Sequence, residues 1–78
     1  MNVEIRLYTI LKKYGRDKID VNNRIRVSEQ MTLHELCSFL DLPQNIAKIF
    51  LVNSCPKQKT YRLKEGDEVK IFTFIGGG

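Results

Sequence analysis

Residues 32–43, TLHELCSFLDLP, combine a helix start signal, an apolar stripe and a stop in one short segment. Thr32 and Glu35 have the spacing of a capping box, in which the two side chains satisfy each other's backbone N–H groups. The apolar residues recur at helical spacing and predict one buried face: Leu33, Leu36, Cys37 and Leu40. Pro43 cannot continue a helix, so the segment predicts a short amphipathic helix that ends there.

The segments before this helix predict two strands of an antiparallel hairpin. Residues 3–10 begin with alternating apolar and polar side chains, which is the period of a half-buried strand. Residues 14–17, YGRD, predict a turn, because glycine tolerates positive φ and aspartate caps turns. Odd-numbered apolar positions resume over residues 19–27, with an irregular stretch or bulge at residues 22–23. Together the patterns predict a hairpin with a long loop at residues 11–18.

Past the helix, the sequence predicts a central strand. Residues 49–52, IFLV, form a compact apolar run of strand length, and residues 53–54 predict the turn that closes it. We expect residues 45–48 to add a short helical turn before this strand. Residues 55–64 are polar and basic, so they predict a loop with a short edge strand near residues 59–61.

The last strand is predicted over residues 68–74, EVKIFTF, after a turn at residues 64–67. Alternation sets its two faces: Val69 and Ile71 on one side, Phe72 and Phe74 on the other. The order of elements requires one helix to cover one face of a mixed sheet. We therefore expect an α+β domain of the β-grasp (ubiquitin-like) pattern over residues 1–75, with four to five strands packed on one main helix. Residues 76–78 are expected to form a flexible tail.

Size and composition favour a binding or carrier module over a self-contained enzyme. A 78-residue domain buries only about 60% of the surface its unfolded chain exposes, which leaves little room for a deep active-site cavity. The sequence has no long apolar run and no signal peptide, so we expect no membrane span and a cytoplasmic location. Cys37, Cys55 and His34 are too few to form a metal or cluster site, and both thiols are expected to be free.

The net charge of +4 allows two interpretations. The basic residues form two loose groups: Lys12, Lys13, Arg16 and Lys18, and Lys57, Lys59, Arg62 and Lys64. Solvated loops that keep a small protein soluble explain them best. Nucleic-acid binding is the less favoured alternative, because no aromatic residues alternate with these charges as an RNA-recognition sheet requires.

The sequence ends Ile75-Gly76-Gly77-Gly78, directly after the predicted last strand. Such an end is either a frayed terminus or a thin strip without side chains that projects from a rigid body. A strip of this kind can pass a narrow channel, and its terminal carboxylate is unhindered. Once adenylated by another enzyme, that carboxylate can be attacked by sulfide to give a thiocarboxylate. The chain shows no phosphate-binding loop, metal motif or nucleophile–base pair for doing this alone.

Residues 66–78, GDEVKIFTFIGGG, resemble the ends of the MoaD/ThiS sulfur carriers, which typically have a GD turn, a strand with a phenylalanine and a Gly-Gly terminus. Residues 51–53, LVN, resemble the V-N-G turn of that family, and Leu63 resembles its leucine before the GD turn. Two positions depart from the pattern. Ser54 stands where the turn usually has glycine, and Gly76 replaces a residue that is often alanine or threonine.

The resemblance implies a role for the end of the chain. Gly78 would be adenylated by an E1-like enzyme that uses ATP, and then thiocarboxylated with sulfur from a cysteine desulfurase system. Gly76 and Gly77 would thread the channel of that partner, and the apolar residues before them would lie near the docking surface: Phe72, Phe74 and Ile75. The chain itself would bind no cofactor. A synthase subunit would accept the sulfur, for a molybdopterin or a thiazole product.

Several alternatives stay open at this stage. Phe72 and Phe74 either face a partner or pack under the loop at residues 55–64. The chain is either a sulfur-carrying protein substrate, such as a molybdopterin synthase small subunit, or a protein modifier joined to lysines, since the adenylation step is shared. A non-catalytic adaptor or nucleic-acid-binding domain is the third hypothesis. The sequence does not select the pathway that receives the sulfur.

Overall fold

A computed structural model describes residues 1–15, 17–43, 45–47 and 49–73 of the chain. In these ranges one α-helix, α1 (Leu33–Phe39), lies between the second and third of five strands in chain order. The strands are β1 (Asn2–Leu7), β2 (Arg24–Arg26), β3 (Ile49–Val52), β4 (Cys55–Lys57) and β5 (Glu68–Phe72). They form a single sheet in the order β2-β1-β5-β3-β4, with β1 and β5 side by side at its centre.

The sheet is mixed, as the order of elements predicts. β1 and β5 are parallel, whereas the other neighbouring pairs are antiparallel. The parallel pair joins the first and last strands of the described chain, and α1 packs over one face of the sheet. This arrangement is the β-grasp fold, so the predicted fold class is confirmed.

β1 is shorter than the sequence pattern predicts. The strand ends at Leu7, and a 3₁₀ helix, Thr9–Lys13, follows where the pattern places the end of a strand. Thr9 has φ +54, which takes the chain out of the extended conformation. The 3₁₀ helix turns the side chain of Leu11 into the core, where it is fully buried. Local packing of this one residue thus overrides the strand pattern.

β2 is also shorter than predicted, because a tight turn precedes it. The carboxylate of Asp20 accepts the backbone N–H groups of Asn22 and Arg24 at 2.8 and 2.9 Å. Asn23 takes φ +63 in this turn, a conformation that asparagine tolerates better than most residues. Val21 is consequently 96% exposed, so the odd-numbered apolar pattern is wrong at that position.

The start of α1 confirms the predicted capping box. Thr32 Oγ1 accepts the N–H of Glu35 at 3.1 Å, and Glu35 Oε1 accepts the N–H of Thr32 at 2.8 Å. The hydrogen bond from the Thr32 backbone lowers the pKa of the Glu35 carboxyl below its usual value. The first turn of the helix is therefore fixed by its own side chains.

The helix ends before Pro43, by a mechanism that the sequence analysis missed. Asp41 adopts φ +61, the N–H of Asp41 bonds to the Ser38 carbonyl, and the N–H of Leu42 bonds to the Cys37 carbonyl at 2.8 Å. These two bonds form a Schellman motif with aspartate in the position that glycine usually takes. Pro43 lies beyond this stop.

The edge strand begins earlier in the sequence than predicted, directly after the turn that follows β3. Asn53 and Ser54 both have positive φ, which is the signature of a type I′ turn. A two-residue turn of this type pairs Cys55 directly with Val52 and starts β4 at once. The predicted edge strand near residues 59–61 is therefore wrong.

The backbone near residues 59–61 supports the helix instead of the sheet. The carbonyls of Tyr61 and Lys59 accept the N–H groups of Leu33 and His34 at 3.0 Å each. Leu63 follows and is buried. The segment thus satisfies helix donors that would otherwise lack partners.

The core lies between α1 and one face of the sheet. Its buried side chains come from the 3₁₀ helix, from α1, from every strand except β4 and from the loops between them: Val3, Ile5, Leu11, Ile25, Val27, Leu33, Leu36, Cys37, Leu40, Leu42, Ala47, Phe50, Val52, Leu63, Val69 and Ile71. The opposite face of the sheet carries the even-numbered residues of β1, β2 and β5 and the odd-numbered residues of β3, and no helix in the described part of the chain covers it.

Candidate functional site

The site lies at the carboxyl end of β5, where the described chain leaves the sheet. β5 pairs with β1 as far as Leu7 and Ile71, and with β3 as far as Ile49 and Phe72. Val69 and Ile71 point into the core and are fully buried, whereas Phe72 lies on the open face and is half-buried. The predicted division of β5 into two faces is confirmed as far as Phe72.

Phe72 packs against an aromatic residue that the sequence analysis did not select. The Phe72 and Tyr8 rings are stacked, with centroids 4.5 Å apart and an angle of 7° between their planes. Tyr8 follows β1, on the side of β5 away from the 55–64 segment, so this packing differs from the predicted alternative under that loop. Only the parallel β1–β5 pairing brings the two residues together, and their separation in sequence gives no local signal.

The stacked rings belong to a larger apolar area on the open face, which we call the open-face patch: Tyr8, Ile49, Leu51 and Phe72. Ile49 pairs with Phe72 across the β3–β5 ladder and is 41% exposed. Beside the patch, the register brings two cationic side chains next to each other, Arg6 on β1 and Lys70 on β5. An apolar centre with a polar rim is the usual composition of a protein-docking surface.

The Glu4 carboxylate partly neutralises this cationic rim. Arg6 Nε donates to Glu4 Oε2 at 3.0 Å, and both side chains are solvent-exposed to a considerable degree. Among the described residues, no carboxylate lies within 4 Å of the Lys70 ammonium group. The rim therefore keeps a positive charge next to the apolar surface.

The GD turn before β5 is organised by one buried carboxylate. Asp67 is 5% exposed and accepts hydrogen bonds from Asn53 Nδ2, the Tyr61 hydroxyl and the Lys64 N–H at 2.8–2.9 Å. Gly66 takes φ +82 in this turn, a conformation that a residue with a side chain would adopt only with strain. The aspartate and the glycine of the motif thus have structural roles that set where β5 begins.

The two thiols are free, as predicted, and lie in different environments. Cys37 is in the core, and burial raises the pKa of its thiol to about 11. Cys55 is exposed at the start of β4. His34 is exposed in the first turn of α1. Within the described ranges, no three side chains of the metal-binding types form a cluster.

The remaining predicted site residues lie outside the described residues. These are Phe74, Ile75, Gly76, Gly77 and Gly78. Their predicted roles stay predictions, as do the domain boundary at residue 75 and the cytoplasmic location. The helices in the described ranges are too short and too polar to cross a membrane.

The fold, the GD turn and the open-face patch define a ubiquitin-like protein of the β-grasp class. The ThiS family model matches residues 14–78, and the chain belongs to the ThiS family. Among solved structures, the chain is similar to SAMP1 from Haloferax volcanii, with a TM-score of 0.64 over 100% of both chains. The two sequences are 17% identical, so this likeness shows the fold alone. Comparison with curated proteins gives no match.

Family membership confirms the resemblance to the MoaD/ThiS carriers. Members of this family are small ubiquitin-like carriers, which are typically non-catalytic. Proteins of this class interact with E1-like enzymes in general.

Proposed function

We propose that this protein is a sulfur carrier that works through the carboxylate of Gly78. One observation carries the proposal: the ThiS family match runs through the end of the sequence and includes the three glycines. The position of the open-face patch supports it, since Phe72 stands six residues before Gly78 at the end of a central strand. A docking surface beside the exit of β5 suits a partner that must also receive the chain end.

The proposed chemistry has two steps, both in an E1-like partner. A carboxylate oxygen of Gly78 attacks the α-phosphorus of ATP, so that a mixed anhydride forms and pyrophosphate leaves. Hydrosulfide then attacks the carbonyl carbon, a C–S bond forms, and AMP leaves with the electron pair of the broken C–O bond. When the sulfur arrives as a persulfide from a cysteine desulfurase system, a thiol reductant must cleave the resulting acyl disulfide. The product in either case is a thiocarboxylate.

The chain's own contribution is presentation of this end. Glycines at positions 76 and 77 leave no side chain to obstruct a narrow channel. Phe72 and Ile49 supply apolar contact area, and Arg6 and Lys70 supply a cationic rim. A sulfur-accepting synthase subunit, of the molybdopterin or thiazole type, would use the same end of the carrier.

The test is intact-mass spectrometry after incubation with ATP, the E1-like enzyme of the same organism and sulfide. We expect a gain of about 16 Da, from replacement of one oxygen by sulfur, located in the C-terminal peptide. A variant lacking residues 77–78 is expected to fold normally and to show no gain. A gain of the same size in that variant, or none in the wild type with an enzyme that is active on another carrier, contradicts the proposal.

A second incubation, in cell extract, distinguishes the modifier hypothesis from the carrier hypothesis. A modifier would form adducts of 9.1 kDa added mass on lysines of other proteins when ATP and the activating enzyme are present in cell extract. Formation of such conjugates without any thiocarboxylate would support the modifier function and contradict the carrier function. Salt-sensitive binding to RNA that persists without residues 77–78 would favour the nucleic-acid hypothesis.

A further inference from the structure

We propose that Tyr8 is a positioning residue for the acyl-donor end of the chain. Its ring stacks on Phe72 and holds this last residue of β5 in place. The inference rests on the proposed function, because it concerns delivery of that end to an E1-like enzyme. Neither the sequence pattern nor family membership selects Tyr8.

Backbone pairing on one side of β5 stops one residue before the end of the strand. The last pair with β1 is Leu7 with Ile71, whereas on the other side Ile49 still pairs with Phe72. Phe72 is therefore held by the sheet on its β3 side only. The β1–β5 ladder thus ends before Phe72, and the end of a ladder frays more readily than its middle.

The side chain of Tyr8 contacts Phe72 directly beyond the last residue pair of the β1–β5 ladder. The parallel rings of Tyr8 and Phe72, with centroids 4.5 Å apart, lie in the range of favourable offset stacking. The stack connects Phe72 to the segment that follows β1. It thus fixes the free side of Phe72 without a further backbone hydrogen bond.

The backbone of Tyr8 is fixed by the residues on both sides of it in the chain. It is extended, with φ −120 and ψ 153, and directly follows the β1 residue paired with Ile71. Thr9 then has φ +54, which is strained for a β-branched residue. Two residues later, Leu11 is fully buried. Such strain persists only where the surrounding structure enforces the conformation. The segment between Leu7 and Leu11 therefore holds the Tyr8 ring rigidly.

The ring of Tyr8, and not its hydroxyl, makes the contact. The hydroxyl has no hydrogen bond to any of the described residues, and the adjoining bond, from Thr9 Oγ1 to the Tyr8 carbonyl at 2.7 Å, involves the backbone. Tyr8→Phe should therefore keep the positioning, whereas Tyr8→Ala and Tyr8→Leu should lose the stack.

Kinetics distinguish positioning from simple contact with the enzyme. We would measure ATP–pyrophosphate exchange by the E1-like enzyme with the full chain as the varied substrate. For Tyr8→Ala and Tyr8→Leu we expect kcat about 3- to 10-fold lower, the range that loss of one aromatic pair supports. Because Tyr8 belongs to the open-face patch, Tyr8→Ala should also raise KM, whereas Tyr8→Leu keeps an apolar side chain there and should leave KM little changed. Tyr8→Phe should restore kcat. Phe39→Ala, which removes an exposed aromatic ring on α1, is the matched control and should behave as the wild type.

A measurement on the free protein tests the stack without the enzyme. The backbone order parameter of the Phe72 amide from ¹⁵N relaxation should fall towards the flexible range in Tyr8→Ala and stay rigid in Tyr8→Phe. An unchanged order parameter, an unchanged kcat, or a rise in KM alone would overturn the positioning role. Failure of the wild type to support exchange, with an enzyme active on another carrier, overturns the proposed function instead and leaves all variants equally inactive.

Discussion

Asn53 Nδ2 donates a hydrogen bond to Asp67 Oδ1 over 2.9 Å, and so joins the β3–β4 turn to the turn before β5. The same asparagine holds β5 through its other atom, since Asn53 Oδ1 accepts the N–H of Glu68 at 3.0 Å. Tyr61 and Lys64 donate to the second carboxylate oxygen of Asp67. Two residues of the family motifs, distant in sequence, thus form one network at the amino end of the strand that leads to the site.

Asp67→Ala should destabilise the protein strongly. The change leaves the donors from Asn53, Tyr61 and Lys64 without their acceptor in a site that is 5% exposed. We expect the free energy of unfolding in urea to fall by about 3 kcal/mol. Asp17→Ala, at an exposed carboxylate, is the control. Equal unfolding midpoints for the two variants would contradict the role of the network.

Stability should fall at alkaline pH through Tyr61. Burial, followed by the hydrogen bond to Asp67 and the charge of that carboxylate, raises the pKa of Tyr61 above its ordinary value of 10.0. Because the folded pKa is the higher one, the stabilisation is complete below pH 10.0 and is lost as pH rises through the folded value. Urea unfolding from pH 8 upwards should show a steeper alkaline decline for the wild type than for Tyr61→Phe. Parallel curves would contradict this assignment.

One of the two thiols should be reactive in the folded protein. Cys55 is exposed, whereas Cys37 is buried with a pKa of about 11, so very little thiolate forms there at neutral pH. Titration with a thiol reagent at pH 8 should modify one cysteine in the native state and both in denaturant. Cys55→Ser should abolish the native reaction. Rapid native labelling of that variant would show that the core opens readily around α1.

Ser54→Gly should stabilise the β3–β4 hairpin. Ser54 has φ +70 in the type I′ turn, at the position where the related carriers usually have glycine. Relief of the left-handed backbone strain outweighs the extra flexibility of glycine in the unfolded chain, so we expect a gain of about 0.5 kcal/mol in the free energy of unfolding. Ser28→Gly, at an exposed serine without positive φ, should give no gain. A lower free energy of unfolding in both variants would contradict backbone strain at Ser54.

The fold could be predicted from the sequence where local signals and tertiary packing agree. The capping box at Thr32 and Glu35 and the apolar run in β3 both led to the correct element. The errors lie where one specific contact, local or tertiary, overrides the apolar pattern. The carboxylate of Asp20 folds the chain before β2 into a turn, and residues 59–61 bond to the helix and not to the sheet.

The site could be predicted only in part. Phe72 follows from strand alternation and the family motif, and the structure places it on the open face. Tyr8 could not be found in the same way, because its contact with Phe72 depends on the parallel pairing of the first and last strands. No periodic pattern in the sequence predicts that pairing. Sequence patterns identify faces within a strand, whereas neighbours across a parallel ladder require the topology.

Ile49→Ala should weaken binding of the E1-like enzyme and leave the fold unchanged. Ile49 pairs with Phe72 at the centre of the open-face patch, and its 41% exposure means that truncation leaves no core cavity. Loss of one apolar contact at such a centre costs about 1 kcal/mol, or about fivefold in Kd by calorimetric titration. Val21→Ala, at a side chain that is 96% exposed in the turn before β2, should bind as the wild type. Equal affinities for both variants would place the docking surface away from the open face.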